Sequence, residues 1–112
     1  MEANPVQVTT AFVLPGHRIT KSFGHCFGIV VRSLGVGGTL AAAFKSLRKG
    51  EVTQYTALLE DSRRQAIDRM VESARGTGAN AIIGMRFDSS EMAQGITEIV
   101  AYGTAVFVEP TS

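Results

Sequence analysis

Three side chains have the chemistry to hold a soft or borderline metal: His17, His25 and Cys26. A closed zinc site takes about four thiolate or imidazole ligands, so one copy of the chain falls short. If residues 17 to 25 form one strand, His17 and His25 share a face but lie roughly 26 Å apart, at about 3.3 Å per residue. His25 and Cys26 are adjacent and point to opposite faces unless a bulge near Gly24 intervenes. A ring of copies could gather one Cys26 or one His25 from each subunit around an axis, and these two residues are the metal candidates. The plainer reading makes Cys26 a small buried apolar residue and His25 a partly exposed strand residue.

Other chemistries lack their residues. Gly35-Val36-Gly37-Gly38-Thr39-Leu40 has leucine where the dinucleotide fingerprint needs its third glycine, and no Gly-Lys-Ser or Gly-Lys-Thr follows for a P-loop. It reads as a connection. Serine and threonine are plentiful, but neither histidine stands in a motif that sets it beside a nucleophile, and Gly-x-Ser-x-Gly is absent. Glu60, Asp61, Asp68 and Glu72 fall on the wet face of a helix, where solvation and pairing account for them. The sequence therefore yields no catalytic residue and no cofactor-binding residue, and it predicts a non-enzymatic protein without a cofactor.

The elements that would position any site follow from periodicity. Val6 to Leu14 is strand-like, Pro15-Gly16 marks a turn, and His17 to Ser33 is rich in β-branched and aromatic residues, with a break near Gly24. A short helix is predicted at about 39–49, with Thr39 as N-cap. A long amphipathic helix at about 55–76 sets Tyr55, Leu58, Leu59, Ala66, Ile67, Met70 and Ala74 on one side. Glu60 precedes Arg64 by four residues, the favourable orientation for an exposed pair. Ala81, Ile83, Met85 and Phe87 alternate with Asn80, Gly84, Arg86 and Asp88, as a strand with one wet face does. Asp88 to Gly95 reads as a polar hairpin connection, with Met92 exposed or at a subunit contact.

The fold class is thus α+β, a small mainly antiparallel sheet with one long and one short helix in one domain over residues 1–112, residues 1–5 and 109–112 being flexible ends. A net charge of +1 from 11 basic and 10 acidic residues supplies no field for nucleic acid or an anionic membrane. One cysteine precludes an internal disulfide. With neither a leader pattern nor an apolar run of roughly 20 residues, the expected location is the cytoplasm.

One strand points beyond the single chain. From Ile99 to Val108, one face carries Ile99, Ala101, Ala105 and Phe107, and the other carries Val100, Tyr102, Val106 and Val108. One helix layer covers one face of such a sheet, so the second needs another layer or another subunit. Self-association, with Val106 and Val108 in the contact, is the expectation. The alternative is a second layer from the chain's own N-terminal strands and short helix.

The order helix, Gly78-Ala79-Asn80-Ala81-Ile82-Ile83-Gly84, then Tyr102-Gly103-Thr104-Ala105-Val106 resembles the YbjQ-like family, labelled a heavy-metal-binding domain, over roughly residues 10 to 108. Gly28, Tyr55, Arg63, Ala66, Ala74, Gly78, Ala79, Gly84, Asp88, Gly103, Thr104, Ala105 and Val106 fall on matching positions. The resemblance implies a dodecin-like α+β subunit that forms a homopentameric ring. The leading reading is a non-enzymatic, ring-forming binding or scaffold protein of unknown ligand; the alternatives are metal or metalloid binding at an intersubunit site and a small-ligand enzyme with its site between subunits. Ile29, Gly35, Thr39, Lys49-Gly50-Glu51 and Thr56 stand where the family pattern has other residues, which marks the chain as a divergent member.

Overall fold

The computed structural model describes residues 5–33, 52–93 and 95–111, with backbone alone for 52–55. The expected short helix at 39–49 and the glycine-rich connection lie outside the described residues. Strands β1 (Gln7–Val8) and β2 (His17–Ser33) precede helix α1 (Val52–Thr77), and strands β3 (Ala81–Ala93) and β4 (Ile96–Pro110) follow it. They form one sheet in the order β1-β3-β4-β2. The two long pairings are antiparallel and the two-residue β1 runs parallel to β3, so the α+β class holds with a mixed sheet.

Most of the N-terminal stretch is not strand. After Val8 it crosses the sheet as an irregular segment and turns at Leu14-Pro15-Gly16-His17, where the His17 N–H donates to Leu14 O at 3.1 Å and Gly16 has φ +76. Proline at the first turn centre and a positive-φ glycine at the second make a type II turn. The break expected near Gly24 is a set of local irregularities, between Ile19 and Lys21 and between Ser22 and Gly24, inside a strand that pairs with β4 throughout. That pairing holds Pro110 opposite His17, and Thr111 N donates to Gly16 O at 2.9 Å, so residues 109–111 are tied to the sheet rather than loose.

Helix α1 lies on β2 and β4 along a line spaced by four residues: Ser62, Ala66, Met70 and Ala74 are fully buried. Small side chains permit unusually close approach. A Cβ placed on Gly28 would stand 2.2 Å from Ala66 O and 2.4 Å from Met70 N, so helix and strand backbones touch there. Leu59 and Ile67 flank this line half-buried, and Leu58 is exposed. Ser62 was not among the expected core residues. It is buried because its hydroxyl is satisfied, accepting from Arg32 Nε at 2.8 Å and donating to Leu58 O at 2.9 Å. The helix ends where Gly78 takes φ +97; its N–H donates to Arg75 O and the Ala79 N–H to Ala74 O, the Schellman pattern.

Strand β3 departs from simple alternation. Gly84, at φ +63, sits in a register shift between Ile83 and Arg86. The bulge changes the phase, so Ile82, Met85 and Phe87 pack toward α1 while Ala81 and Ile83 face the other way. A Cβ on Gly84 would meet the Phe12 ring at 2.9 Å. The N-terminal segment docks on this bulge: Gly84 N donates to Ala11 O at 2.8 Å and Met85 N to Thr9 O at 3.1 Å. Residues Asp88 to Ala93, expected in a loop, continue the strand to a tight connection in which Gly95 has φ +76.

Among the described residues, the face away from α1 is covered at one end only. Ala81, Val106 and Val108 are buried there with Leu14 and Ile83 packed against them. Part of the second layer therefore comes from the chain's own N-terminal segment.

Candidate ligand cleft and assembly face

The metal candidates do not converge. Cys26 faces α1 in the core, is 4% exposed, and its thiol donates to Gly103 O at 3.7 Å. Burial pushes that thiol's pKa up, away from the thiolate a metal needs. His25 lies on the opposite face, stacked at 6.2 Å with Phe27. His17 is held at the far end of β2, its Nδ1 within 3.0 Å of Pro15 O. Among the described residues no three His, Cys, Asp or Glu side chains gather into a possible metal centre. His25 alone keeps an exposed position.

A different group of residues does converge. Between the N-terminal half of α1 and the β3–β4 hairpin lies a cleft of about 300 Å³ lined by Leu59, Glu60, Arg63, Ser89, Thr97 and Ile99. Register explains its floor. Thr97 is two residues before Ile99 and so shares the helix-facing side of β4, opposite Arg32 on one neighbour and Glu91 on the other. Thr97 is 3% exposed, and its hydroxyl has no hydrogen-bond partner among the described residues. Arg63 reaches over the Phe87 ring, its guanidinium carbon 5.0 Å from the centroid, a cation–π contact. It forms no ion pair among the described residues, whereas Glu60 pairs with Arg64 at 3.7 Å and Asp61 with Arg32 at 3.2 Å. Among the described residues the cleft thus joins an apolar wall, a cation without an ion-pair partner and an unsatisfied hydroxyl.

Of this set Leu59, Glu60 and Ile99 were read in the sequence only as helix or strand positions and Arg63 through the resemblance, while Ser89 and Thr97 were not singled out. Thr97 carried a signal all the same: period-two counting back from Ala101 and Ile99 puts one polar residue on an apolar face.

On the other side of the sheet, Phe27, Ile29 and Val31 of β2 are exposed beside Val100 and Tyr102 of β4. Phe27 pairs with Tyr102 and Ile29 with Val100, so these side chains form one continuous patch. Phe27 is 49%, Val31 56% and Tyr102 42% exposed. Val106 and Val108, expected in a subunit contact, are instead buried in the chain by the N-terminal segment.

A small sheet carrying a long helix, with a glycine-mediated helix contact and a glycine bulge, defines a small α+β fold class. The chain belongs to the YbjQ family, described as "Putative heavy-metal-binding", whose pattern matches residues 6–109. It is 51% identical to a UPF0145 protein of Bradyrhizobium sp. over 98% of both chains. It is 52% identical to a UPF0145 protein of Sulfurisphaera tokodaii, over 92% of this chain and 90% of that one. The fold is similar to that of a protein of unknown function of the DUF74 family from Pediococcus pentosaceus, with a TM-score of 0.60 at 14% identity, over 93% of this chain and 98% of the other. Identities near one half over nearly the whole length do not support the divergent standing expected from single positions. Among the described residues, no helix is long and apolar enough to cross a membrane.

Proposed function

We propose that this chain is a non-enzymatic binding protein that works as a homo-oligomer, its subunits meeting through the patch of Phe27, Ile29, Val31, Val100 and Tyr102. The observation that carries the reading is that patch itself. Aromatic and β-branched side chains stand uncovered on paired strands, beside a region of the same face that the N-terminal segment does cover. Burying them stabilises association by about 25 cal/mol per Å² of apolar surface before the entropy cost of association. A second copy is the fitting occupant, because the five side chains are apolar, the charged residues bordering them in register, Glu98, Asp88 and Arg86, are of mixed sign, and the near-neutral chain supplies no field for a strongly charged partner. The family resemblance favours five copies. The cytoplasm is the location that goes with this reading.

Nitration of Tyr102, read by peptide mapping, tests it. In the assembled protein Tyr102 should be protected, and Phe27→Asp, which puts a charge into the contact, should restore its reactivity. Equal nitration of Tyr102 in both proteins would refute the assignment of this face.

A further inference from the structure

We infer that the cleft between α1 and the β3–β4 hairpin is a binding site for a small organic monocarboxylate, with Arg63 receiving the carboxylate and Thr97 hydrogen-bonding to it. This rests on the reading of the chain as a binding protein, but not on the assembly face, which lies on the opposite side of the sheet.

Two independent observations point to a ligand. Thr97 lines the cleft, is 3% exposed, and its hydroxyl lacks a partner among the described residues. A buried hydroxyl without a partner is a cost that folding alone gives no reason to carry. Arg63 is held over Phe87 by its ring face and is not neutralised by any carboxylate among the described residues, although two other arginines near this end of the helix, Arg32 and Arg64, are paired. A guanidinium recognises planar oxyanions through parallel N–H donors. Leu59 and Ile99 supply the wall for an apolar body, and Ser89 offers a second hydroxyl at the hairpin. Such a mixture of apolar lining and a few polar groups is the usual makeup of a small-molecule site.

The charge of the ligand follows from Glu60. Its carboxylate lines the same cleft and, among the described residues, is tied only to the exposed Arg64. It opposes a dianion more strongly than a monoanion, so a carboxylate is favoured over a phosphate monoester. The volume of about 300 Å³ suits a body the size of one aromatic ring or a short alkyl chain.

The test uses benzoate as probe, with phenyl phosphate and benzyl alcohol as the two other arms, followed by amide chemical-shift changes in the full-length protein. Benzoate should bind saturably and move the Thr97 and Ser89 resonances. Benzyl alcohol and phenyl phosphate should each bind roughly tenfold more weakly. Arg63→Gln should weaken benzoate by roughly tenfold. Thr97→Val removes the hydroxyl without changing shape, so it should keep or raise the melting temperature while weakening benzoate roughly fivefold. No saturable shift at Thr97 would overturn the site. Equal affinity for benzyl alcohol, or for Arg63→Gln, would overturn the role of the cation, and tighter phenyl phosphate binding would overturn the carboxylate class. Retained benzoate binding in Thr97→Val with a lowered melting temperature would make Thr97 structural. Protection of Tyr102 is read separately, so loss of either proposal leaves the other standing.

Discussion

The side-chain amide of Asn80 occupies the place of a strand residue opposite Val108: its Nδ2 donates to Val108 O at 2.9 Å, and its Oδ1 accepts from the Val108 N–H at 2.8 Å. The Asn80 backbone meanwhile donates to Val106 O and accepts from the Gln7 N–H. One residue just after the helix cap thus closes the end of β4 and seats β1. Only an amide presents one donor and one acceptor in this geometry. Asn80→Ala should cost about 1–3 kcal/mol for each Val108 group left unpaired. Asn80→Asp loses the donor and should also destabilise. Urea unfolding measures both, and a loss below about 0.5 kcal/mol for Asn80→Ala would show that water replaces the amide.

The contact between Gly28 and the helix backbone predicts a contrast between two glycines. Gly28→Ala forces β2 and α1 apart against Ala66 O and Met70 N and should cost about 1–3 kcal/mol or more. Gly76, inside the helix with open space around its Cβ position, should gain about 0.4–1 kcal/mol as alanine. Thermal denaturation should move in opposite directions for the two. A Gly28→Ala protein as stable as the parent would mean that helix and strand do not touch there.

Packing on the helix grades by burial. Met70→Ala empties a fully buried site and should cost about 2–5 kcal/mol. Leu59→Ala, half-buried at the cleft wall, should cost less. If Leu59 proved the costlier of the two, the helix would be rotated from the orientation described.

The helix, its cap and the two long strands were legible because each rests on local periodicity: the Leu59-to-Ala74 stripe, Gly78 after Thr77, and β-branched runs. The phase of β3 was not. Counting by twos through Ala81, Ile83, Met85 and Phe87 assigns one face, but Gly84 inserts a bulge whose docking partner, Phe12, is more than 70 positions away in sequence. A bulge is decided by what packs on it, and periodicity holds no record of that. Docking of the same N-terminal segment, here through Leu14, hid the burial of Val106 and Val108. At the cleft, Arg63 and Thr97 are brought together by helix–sheet docking and share no motif. Cys26 and His25, neighbours in sequence, were expected to point apart, and they do.

Cys26 sets the response to alkali. Burial raises its folded-state pKa above the ordinary 9.0. The unfolded chain then releases its thiol proton first, so stability is fully present below about pH 9 and declines as pH rises toward the folded value. Cys26→Ala should flatten the alkaline limb of the unfolding free energy, relative to the parent, while lowering it overall through lost packing. Native Cys26 should also react slowly with iodoacetamide, and rapid alkylation at neutral pH would contradict its burial.

The most direct measurement is light scattering of the purified chain at micromolar concentration, with Phe27→Asp and Val108→Asp alongside. The parent should have a mass several times 11.9 kDa, near 60 kDa for five copies. Phe27→Asp should yield a folded, smaller species, whereas Val108→Asp, buried inside the chain, should unfold or precipitate. A stable parent of about 12 kDa that scatters identically to Phe27→Asp would contradict the account.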